Sequence, residues 1–335
     1  MAGRPRKPSM YDVAALAGVS HQTVSRVLNN HPSIRPQTRA KVLQAIEQVN
    51  YTPNPMARAL ATNRTHRIGV LIDGAGHYGP STALRGFEEA ARVEGYAVDA
   101  VSVAENDDPA AGVANLLSRG AEALCVIAPR IPSLESVQSV MRDLPVLVVT
   151  AGSVPDRLTA AVDQRTGARL AVEHLLALGH RRILHLAGPL DWLDALARQE
   201  AWRQRLTEEG LAVREPVVGD WSADFGYEFG LRSTEIGHAT AIFVANDQMA
   251  LGVIHGLHDR GLRVPQDISV VGFDDNPESR HFLPPLTTVR QDFHALGALS
   301  VTQLIAALRG TPAPLPDLIA PELMVRHSTA APEQP

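Results

Sequence analysis

Ser9-Met10-Tyr11-Asp12-Val13-Ala14-Ala15-Leu16-Ala17-Gly18-Val19-Ser20-His21-Gln22-Thr23-Val24-Ser25-Arg26-Val27-Leu28-Asn29 reads as two short helices joined at one glycine. Ser9 with Asp12 three residues on is a capping-box pattern. Val13, Ala14, Leu16 and Ala17 then supply a short apolar face, and Gly18 stands where a helix ends in a left-handed turn. Ser20 can cap a second helix over about His21–Asn29. Its Val24, Val27 and Leu28 recur at helical spacing and face inward. His21, Gln22, Ser25, Arg26 and Asn29 are left outside. Helix, tight turn, helix is the helix-turn-helix plan, whose second helix enters the DNA major groove. A third helix is expected over about Pro36–Asn50, with Pro in its first turn and Val42, Ile46 and Val49 as its packing stripe.

The side chains left outside suit DNA. Arg26 can hold guanine O6 and N7 with two hydrogen bonds, and Gln22 can pair with adenine or guanine edges. Thr23, Ser25, Arg35, Arg39 and the Arg4-Arg6-Lys7 arm are better matched to phosphates, which hold register without reading sequence. Charge is partitioned to match. Residues 1–66 hold nine Lys or Arg against Asp12 and Glu47, a local net of +7. The other 269 residues carry 22 basic and 34 acidic side chains, a net of −12. A basic head on an acidic body is the pattern of a polyanion-binding module joined to something else.

At 335 residues the chain exceeds one ordinary core, and about two to three domains are expected. It has no run near the ~18 apolar residues that would span a bilayer, and its basic N-terminus lacks the apolar stretch of a signal peptide. Cys125, the single cysteine, lies in an apolar run and reads as buried and inert. A cytoplasmic, nucleoid-associated protein that engages no membrane is the expectation.

From Arg67 onward, short apolar strands alternate with amphipathic helices. The strands include Ile68–Ile72, Ala97–Val103, Leu124–Ala128, Val146–Val149, Ile183–Ala187, Ala241–Ala245 and Ile268–Phe273. Helical stretches include Ser81–Glu94, Ala110–Ser118, Thr166–Leu178 and Gln248–Arg260. Such alternation makes parallel βαβ units, with ligands at the carboxyl ends of strands. The tail Ala330–Pro335 reads as disordered.

The head residues Tyr11–Ala14 and Gly18–Asn29, with Asn50-Tyr51-Thr52-Pro53-Asn54-Pro55-Met56-Ala57-Arg58-Ala59-Leu60 behind them, resemble the lac/gal repressor family of transcription regulators. The resemblance continues through Asp163-Gln164-Arg165-Thr166-Gly167, Gly219-Asp220-Trp221, Ala245-Asn246-Asp247 and Val271-Gly272-Phe273-Asp274-Asp275. It runs on to Pro284–Phe293 and so covers nearly the whole chain. It implies an all-α helix-turn-helix head and an α/β periplasmic-binding-protein-like core of two doubly wound subdomains. The implied organisation is a basic arm at 1–8, the DNA-binding domain at 9–52, and a hinge helix with linker at 53–66. The N-subdomain would comprise 67–162 with 291–320, and the C-subdomain 163–290 with 321–329, leaving 330–335 as tail. Crossings between subdomains are expected near Ala161–Asp163, Val289–Asp292 and Ile319–Glu322.

By that resemblance the DNA-contacting set is Ser20, His21, Gln22, Thr23, Ser25, Arg26, Asn29, Arg39, Tyr51, Asn54, Ala57 and Leu60. Leu60 would be the apolar wedge of a minor-groove hinge helix, with Ala57 beside it. A helix this short is marginal alone and is expected to order on DNA. The effector cleft would hold Asp73, His77, Tyr78, Arg198, Trp221, Asn246, Asp274 and Phe293, with Thr150, Trp192 and Asp194 behind them. Carboxylates, an amide and a guanidinium can bind vicinal hydroxyls in pairs, and aromatic faces can cover the apolar side of a sugar ring. The implied protein is a homodimeric repressor of sugar-utilisation genes, released from a palindromic operator by a small sugar or glycoside, with galactosides among the candidates. A corepressor-dependent regulator with a non-sugar ligand is the alternative within the family. Helices around Ser81–Glu94 and Gln248–Arg260 would form the dimer faces, and no heptad helix follows His327 to make a tetramer. His21, Arg35-Pro36, Asp73 and Thr150 depart from the residues of the family's namesake. Its operator and ligand therefore do not carry over by position.

Gly74-Ala75-Gly76-His77-Tyr78-Gly79, with Asp99 some 20 residues on, outlines a dinucleotide fingerprint. Pro80-Ser81 is expected to start the helix only after the last glycine, which counts against a NAD-dependent enzyme. His255-x-x-His258 reads as helix surface rather than a metal site. No nucleophile elbow is present. The expectation is a protein that is not an enzyme and needs no cofactor or metal.

Overall fold

The structure is a computed structural model. It describes residues 8–28, 31–51, 64–104, 107–127, 130–140, 144–151, 157–312 and 318–333, with the backbone alone for 136–140. The chain separates into two compact units, residues 1–65 and 66–335.

In the first unit, α1 (Met10–Ala17), α2 (His21–Leu28) and α3 (Pro36–Gln48) enclose a small core of Val13, Ala14, Val24, Val27, Val42 and Ala45. The Ser9 backbone N–H donates to the Asp12 carboxylate at 2.7 Å, which closes the start of α1. Gly18 ends the helix at φ 65°, a left-handed conformation that an L side chain would resist. Ser20 Oγ accepts from Thr23 N at 3.2 Å and opens α2. Arg35 precedes α3 without a side-chain cap, and Pro36 fills the first turn, where no N–H is needed.

The second unit holds two sheets. The first has the order β2-β1-β3-β4-β5, all parallel: β1 (Arg67–Asp73), β2 (Ala97–Val103), β3 (Ala123–Ile127), β4 (Val146–Val149) and β5 (Leu158–Ala160). The second runs β11-β10-β9-β8-β6-β7, from β6 (Ile183–Ala187), β7 (Val217–Val218), β8 (Ala241–Val244), β9 (Ser269–Asp274), β10 (Thr287–Arg290) and β11 (Glu322–Met324). Among these described strands, only β11 pairs antiparallel, against β10. Strands such as β1 and β9 are apolar runs rather than alternations, because helices cover both faces of each sheet.

Around the first sheet pack α4 (Tyr78–Val93), α5 (Pro109–Ser118), α6 (Ile131–Val140) and α11 (Phe293–Arg309). Ile68, Val70 and Ile72 meet Phe87, Leu296 and Leu304 on one face, while Leu71 meets Val113 and Leu116 on the other. The second sheet is covered by α7 (Gln164–Ala177), α8 (Leu193–Glu208), α9 (Ala223–Arg232) and α10 (Asp247–Asp259). Trp202, Phe243 and Phe273 are the bulk of one of its cores. The chain crosses between lobes three times. It leaves β5 for α7, leaves β10 for α11, and returns through Ile319 to β11. The first and third crossings are bonded to each other, Asp163 N to Ile319 O and Ile319 N to Ala161 O, both at 2.9 Å.

Two expectations need correction. Helix α4 begins at Tyr78, ahead of Gly79, because Gly74–His77 already closes a turn (His77 N to Gly74 O, 2.8 Å) and Pro80 is tolerated within a first turn. The tail does not become disordered at Ala330. Its N–H donates to Ser269 Oγ at 3.1 Å and its carbonyl lies 2.9 Å from His180 Nε2, so backbone bonds hold what composition marked as loose. Among the described residues, no helix is long and apolar enough to cross a membrane, and no group of three His, Cys, Asp or Glu is set to hold a metal ion. Cys125 is buried, and burial pushes its thiol well above the ordinary range.

Candidate functional site

The head presents one face of α2. Val24 and Val27 are buried, whereas His21, Gln22 and Arg26 are exposed and Thr23 and Ser25 partly so. Gln22 and Arg26 stand four residues apart, one turn along the same outward side. His21 sits beside Tyr11, ring centroids 5.2 Å apart. Tyr51 is partly buried and packs against the head core with Val49 and Ile46. Arg39 is partly buried on α3. Asn29, Asn54, Ala57 and Leu60, with the Arg4-Arg6-Lys7 arm, lie outside the described residues.

A cleft opens between the lobes of the body, with about 650 Å³ of empty space that includes open solvent. Nearly every segment that lines it follows the carboxyl end of a strand: His77 after β1, Thr150 after β4, Trp192, Asp194 and Arg198 after β6, Trp221 after β7, Asn246 after β8, Asp274 at the end of β9 and Phe293 after β10. This is where open parallel sheets place their ligands. Nine of the eleven expected cleft residues therefore come together, although they span more than two hundred positions of chain.

The other two do not line it. Asp73 is fully buried at the end of β1 and is taken by Arg130, whose backbone N–H reaches it at 3.0 Å and whose Nε at 3.3 Å. Its carboxylate is satisfied inside the first lobe. Tyr78 stands edge-on to Phe293, centroids 5.9 Å apart, and supports that ring from behind. Sequence reasoning passed over Gln164, Gln248 and Gln291, all of which line the cleft. Gln164 and Gln291 lie at expected crossings, and the strand-end rule could have found them.

Aromatic rings form one wall. Trp192 is edge-on to both His77 and Trp221, at 5.9 and 5.7 Å. Glycines make the seats: a Cβ on Gly188 would lie 2.1 Å from the Trp221 ring, and one on Gly74 would lie 2.4 Å from Trp192. The first glycine of the fingerprint-like loop is thus packed under an indole from the opposite lobe. Two cleft residues hold left-handed backbone, Trp221 at φ 72° and Asp274 at φ 110°, a strain that the surrounding packing must offset.

The polar floor is organised about one cation. Arg198, 4% exposed, donates Nε to Gln164 Oε1 at 2.8 Å and Nη1 to the Ala245 carbonyl at 2.5 Å. Its guanidinium lies over Phe273 at 3.9 Å, and its Nη2 is 3.8 Å from Asp274. Asp194 joins from the start of α8 and accepts from the Ala151 backbone of the other lobe. Asn246 caps α10 through Met249 N at 2.9 Å and gives its amide to the Trp221 carbonyl at 3.1 Å. Among the described residues, Thr150 Oγ1 and Trp221 Nε1 are buried with no hydrogen-bond partner. A buried hydroxyl and indole N–H at a cleft can pair with polar groups of a ligand.

Burial raises three carboxyls here. Asp274 is pushed up to about 6, against the pull of Arg198 and the Gln291 hydrogen bond. Asp247, behind it, is pushed up to about 7 by burial and by the Asp274 charge, and Asp194 also lies above the ordinary range. A carboxyl raised in the folded state adds stability that is complete below its ordinary value of 3.8 and is lost as pH climbs through the folded value. The melting temperature is therefore expected to fall between about pH 4 and about pH 7. An Asp247→Asn/Asp274→Asn double variant is expected to lose most of that slope in a calorimetric pH series. An unchanged slope would put the titration elsewhere.

Comparison with known proteins fits this geometry. Residues 9–54 match the model of bacterial regulatory proteins of the lacI family, and residues 172–329 match a periplasmic binding protein-like domain. The lactose operon repressor of Escherichia coli (strain K12) is 37% identical over 329 residues, 97% of this chain and 91% of that protein. Catabolite control protein A of Priestia megaterium is 35% identical over 88% of this chain and 91% of its own length. Among solved structures, the lac repressor dimer bound to operator and the anti-inducer ONPF superimposes with a TM-score of 0.89 at 35% identity, covering 97% of this chain and 100% of that one. The complex of the transcriptional regulator CelR with cellobiose gives 0.71 at 27% identity, covering 96% and 99%.

Proposed function

Because the chain belongs to the lacI family of bacterial regulatory proteins and is a DNA-binding transcriptional repressor rather than an enzyme, we propose that a small sugar or glycoside in its cleft releases it from a palindromic operator. The observation that carries the effector reading is the cleft itself. Trp192, Trp221 and Phe293 offer flat apolar faces, while Arg198, Asp194, Asp274, Thr150 Oγ1 and Trp221 Nε1 offer polar groups around them. That mixture suits a ring with one apolar face and a rim of hydroxyls. It agrees with the cellobiose held by CelR, and a galactoside is the first class to try given the similarity to the lactose operon repressor.

Operator reading falls to α2, with Arg26 and Gln22 on base edges and Ser20, His21, Thr23, Ser25 and Arg39 toward phosphates and neighbouring edges. Asn29, Asn54, Ala57 and Leu60 complete the contact set by resemblance to the family. Tyr51 enters as a packing residue that holds the end of the head. Two heads reading a palindrome require a twofold dimer. Exposed Leu251 on α10 and Leu283 nearby offer apolar surface for it. The working location is the cytoplasm, on the nucleoid. Effector acts through its unequal affinity for the operator-bound and released states.

The test is binding of the full chain to the promoter regions around its own gene, with and without a panel of glycosides, read by fluorescence anisotropy. Specific binding that one glycoside weakens about tenfold or more is the expected result. Binding that no member of the panel alters would remove the sugar class while leaving the repressor.

A further inference from the structure

Four buried side chains in the cleft floor form one directed chain of hydrogen bonds. Arg198 Nε donates to Gln164 Oε1 at 2.8 Å, Gln164 Nε2 donates to Gln291 Oε1 at 2.7 Å, and Gln291 Nε2 donates to Asp274 Oδ1 at 2.7 Å. Arg198 closes the ring on Asp274 at 3.8 Å. The ends fix the direction. A guanidinium can only donate and an ionised carboxylate can only accept, so each amide has one orientation that satisfies both neighbours. Gln164 lies 3% exposed and Gln291 7%, so water cannot stand in for a lost partner.

The two amides also sit on the crossings. Gln164 follows Asp163, which is bonded to the third crossing at Ile319. Gln291 lies between the last residue of β10 and Asp292, which caps α11 of the other lobe by accepting from Ala295 N at 2.8 Å. We propose that Gln164 and Gln291 are positioning residues: their one-way relay presents Asp274 to the effector as an ionised acceptor and fastens two lobe crossings to the Arg198–Asp274 pair. The relevance to an effector rests on the function proposed above, but the relay itself is testable without one.

Gln164→Glu breaks the direction. The carboxylate it introduces still accepts from Arg198, but its second oxygen cannot donate. Gln291 must then turn its amide toward that carboxylate and its carbonyl toward Asp274, leaving two acceptors face to face. Asp274→Asn removes the conflict, because an Asn side chain can donate. At alkaline pH, Gln164→Glu in the full chain is expected to lower the melting temperature by roughly 4 °C or more and to speed amide hydrogen exchange at residues 159–163 and 287–292. Adding Asp274→Asn is expected to restore most of both. Gln291→Glu is a second entry to the same conflict, should Gln164→Glu fail to fold, and is expected to be rescued in the same way. Asp194→Asn supplies the control. It also removes a carboxylate that acts on Arg198 and Asp274, but it stands outside the relay and is expected to rescue neither variant. Additive losses with Asp274→Asn, or equal rescue by Asp194→Asn, would overturn the relay. Neither outcome depends on which effector the cleft takes.

Discussion

Arg198→Ala is expected to abolish the effector response while operator binding persists. The guanidinium carries the cleft floor: it holds Gln164 and the Ala245 carbonyl, pairs with Asp274, and rests on the Phe273 ring. Truncation leaves Asp274 and Asp194 buried without their cation and two carbonyl oxygens without a donor. Breaking a buried charge pair from one side costs about 3–5 kcal/mol. In a body of this size that corresponds to a fall of roughly 6–20 °C in melting temperature. For an effector that hydrogen-bonds to the guanidinium, losing a charge-assisted bond worth about 1.5–3 kcal/mol weakens binding roughly ten- to hundredfold before any loss of shape is counted. Arg198→Lys keeps the charge but not the planar fork that serves Gln164 and Ala245 together, so it is expected to recover only a small part. Anisotropy on operator DNA with and without effector reads the response, and calorimetry reads the cost. An effector response that survives Arg198→Ala would move the ligand site away from this floor.

What the sequence revealed follows the range of the interactions. The head is written in short-range signals, with Ser9 three residues from Asp12, Gly18 at a turn and Ser20 three residues from Thr23, and these are the bonds the structure contains. The alternation of the body was legible for the same reason, since apolar runs and helical stripes are local patterns. The cleft was legible through the family resemblance, whose quoted motifs carry Trp221, Asn246 and Asp274 at the ends of strands. Asp73 misled. The family resemblance set this carboxylate at the cleft, and nothing nearby shows that Arg130, 57 residues on, already occupies it. The Gln164–Gln291 pair joins residues 127 positions apart and leaves no periodic trace. Ala330 is held by His180 and Ser269 through backbone atoms, to which composition is blind.

Arg26→Ala is expected to weaken operator binding about ten- to hundredfold and to relax preference at a single base pair, the loss of about 1–3 kcal/mol that one bidentate base contact contributes. The head core sets this geometry. Val24 and Val27 are buried against Val13 and Val42, which fixes the roll of α2. With that roll fixed, Gln22 and Arg26 share the exposed side. The substitution removes no core packing, so the head is expected to keep its melting behaviour. Arg39→Ala gives the contrast. Removing a phosphate partner there is expected to lower affinity evenly across sequences and to flatten the log-affinity against log-salt slope by about one unit. Measuring both variants on an operator and its single-base variants, over a salt series, separates reading from holding. Adding Leu60→Gly to Arg26→Ala tests the hinge role implied by the family resemblance, and the pair is expected to bind operator no better than unrelated DNA. Equal losses on all sequences for Arg26→Ala would make it a phosphate-binding residue and take base reading away from this face of α2.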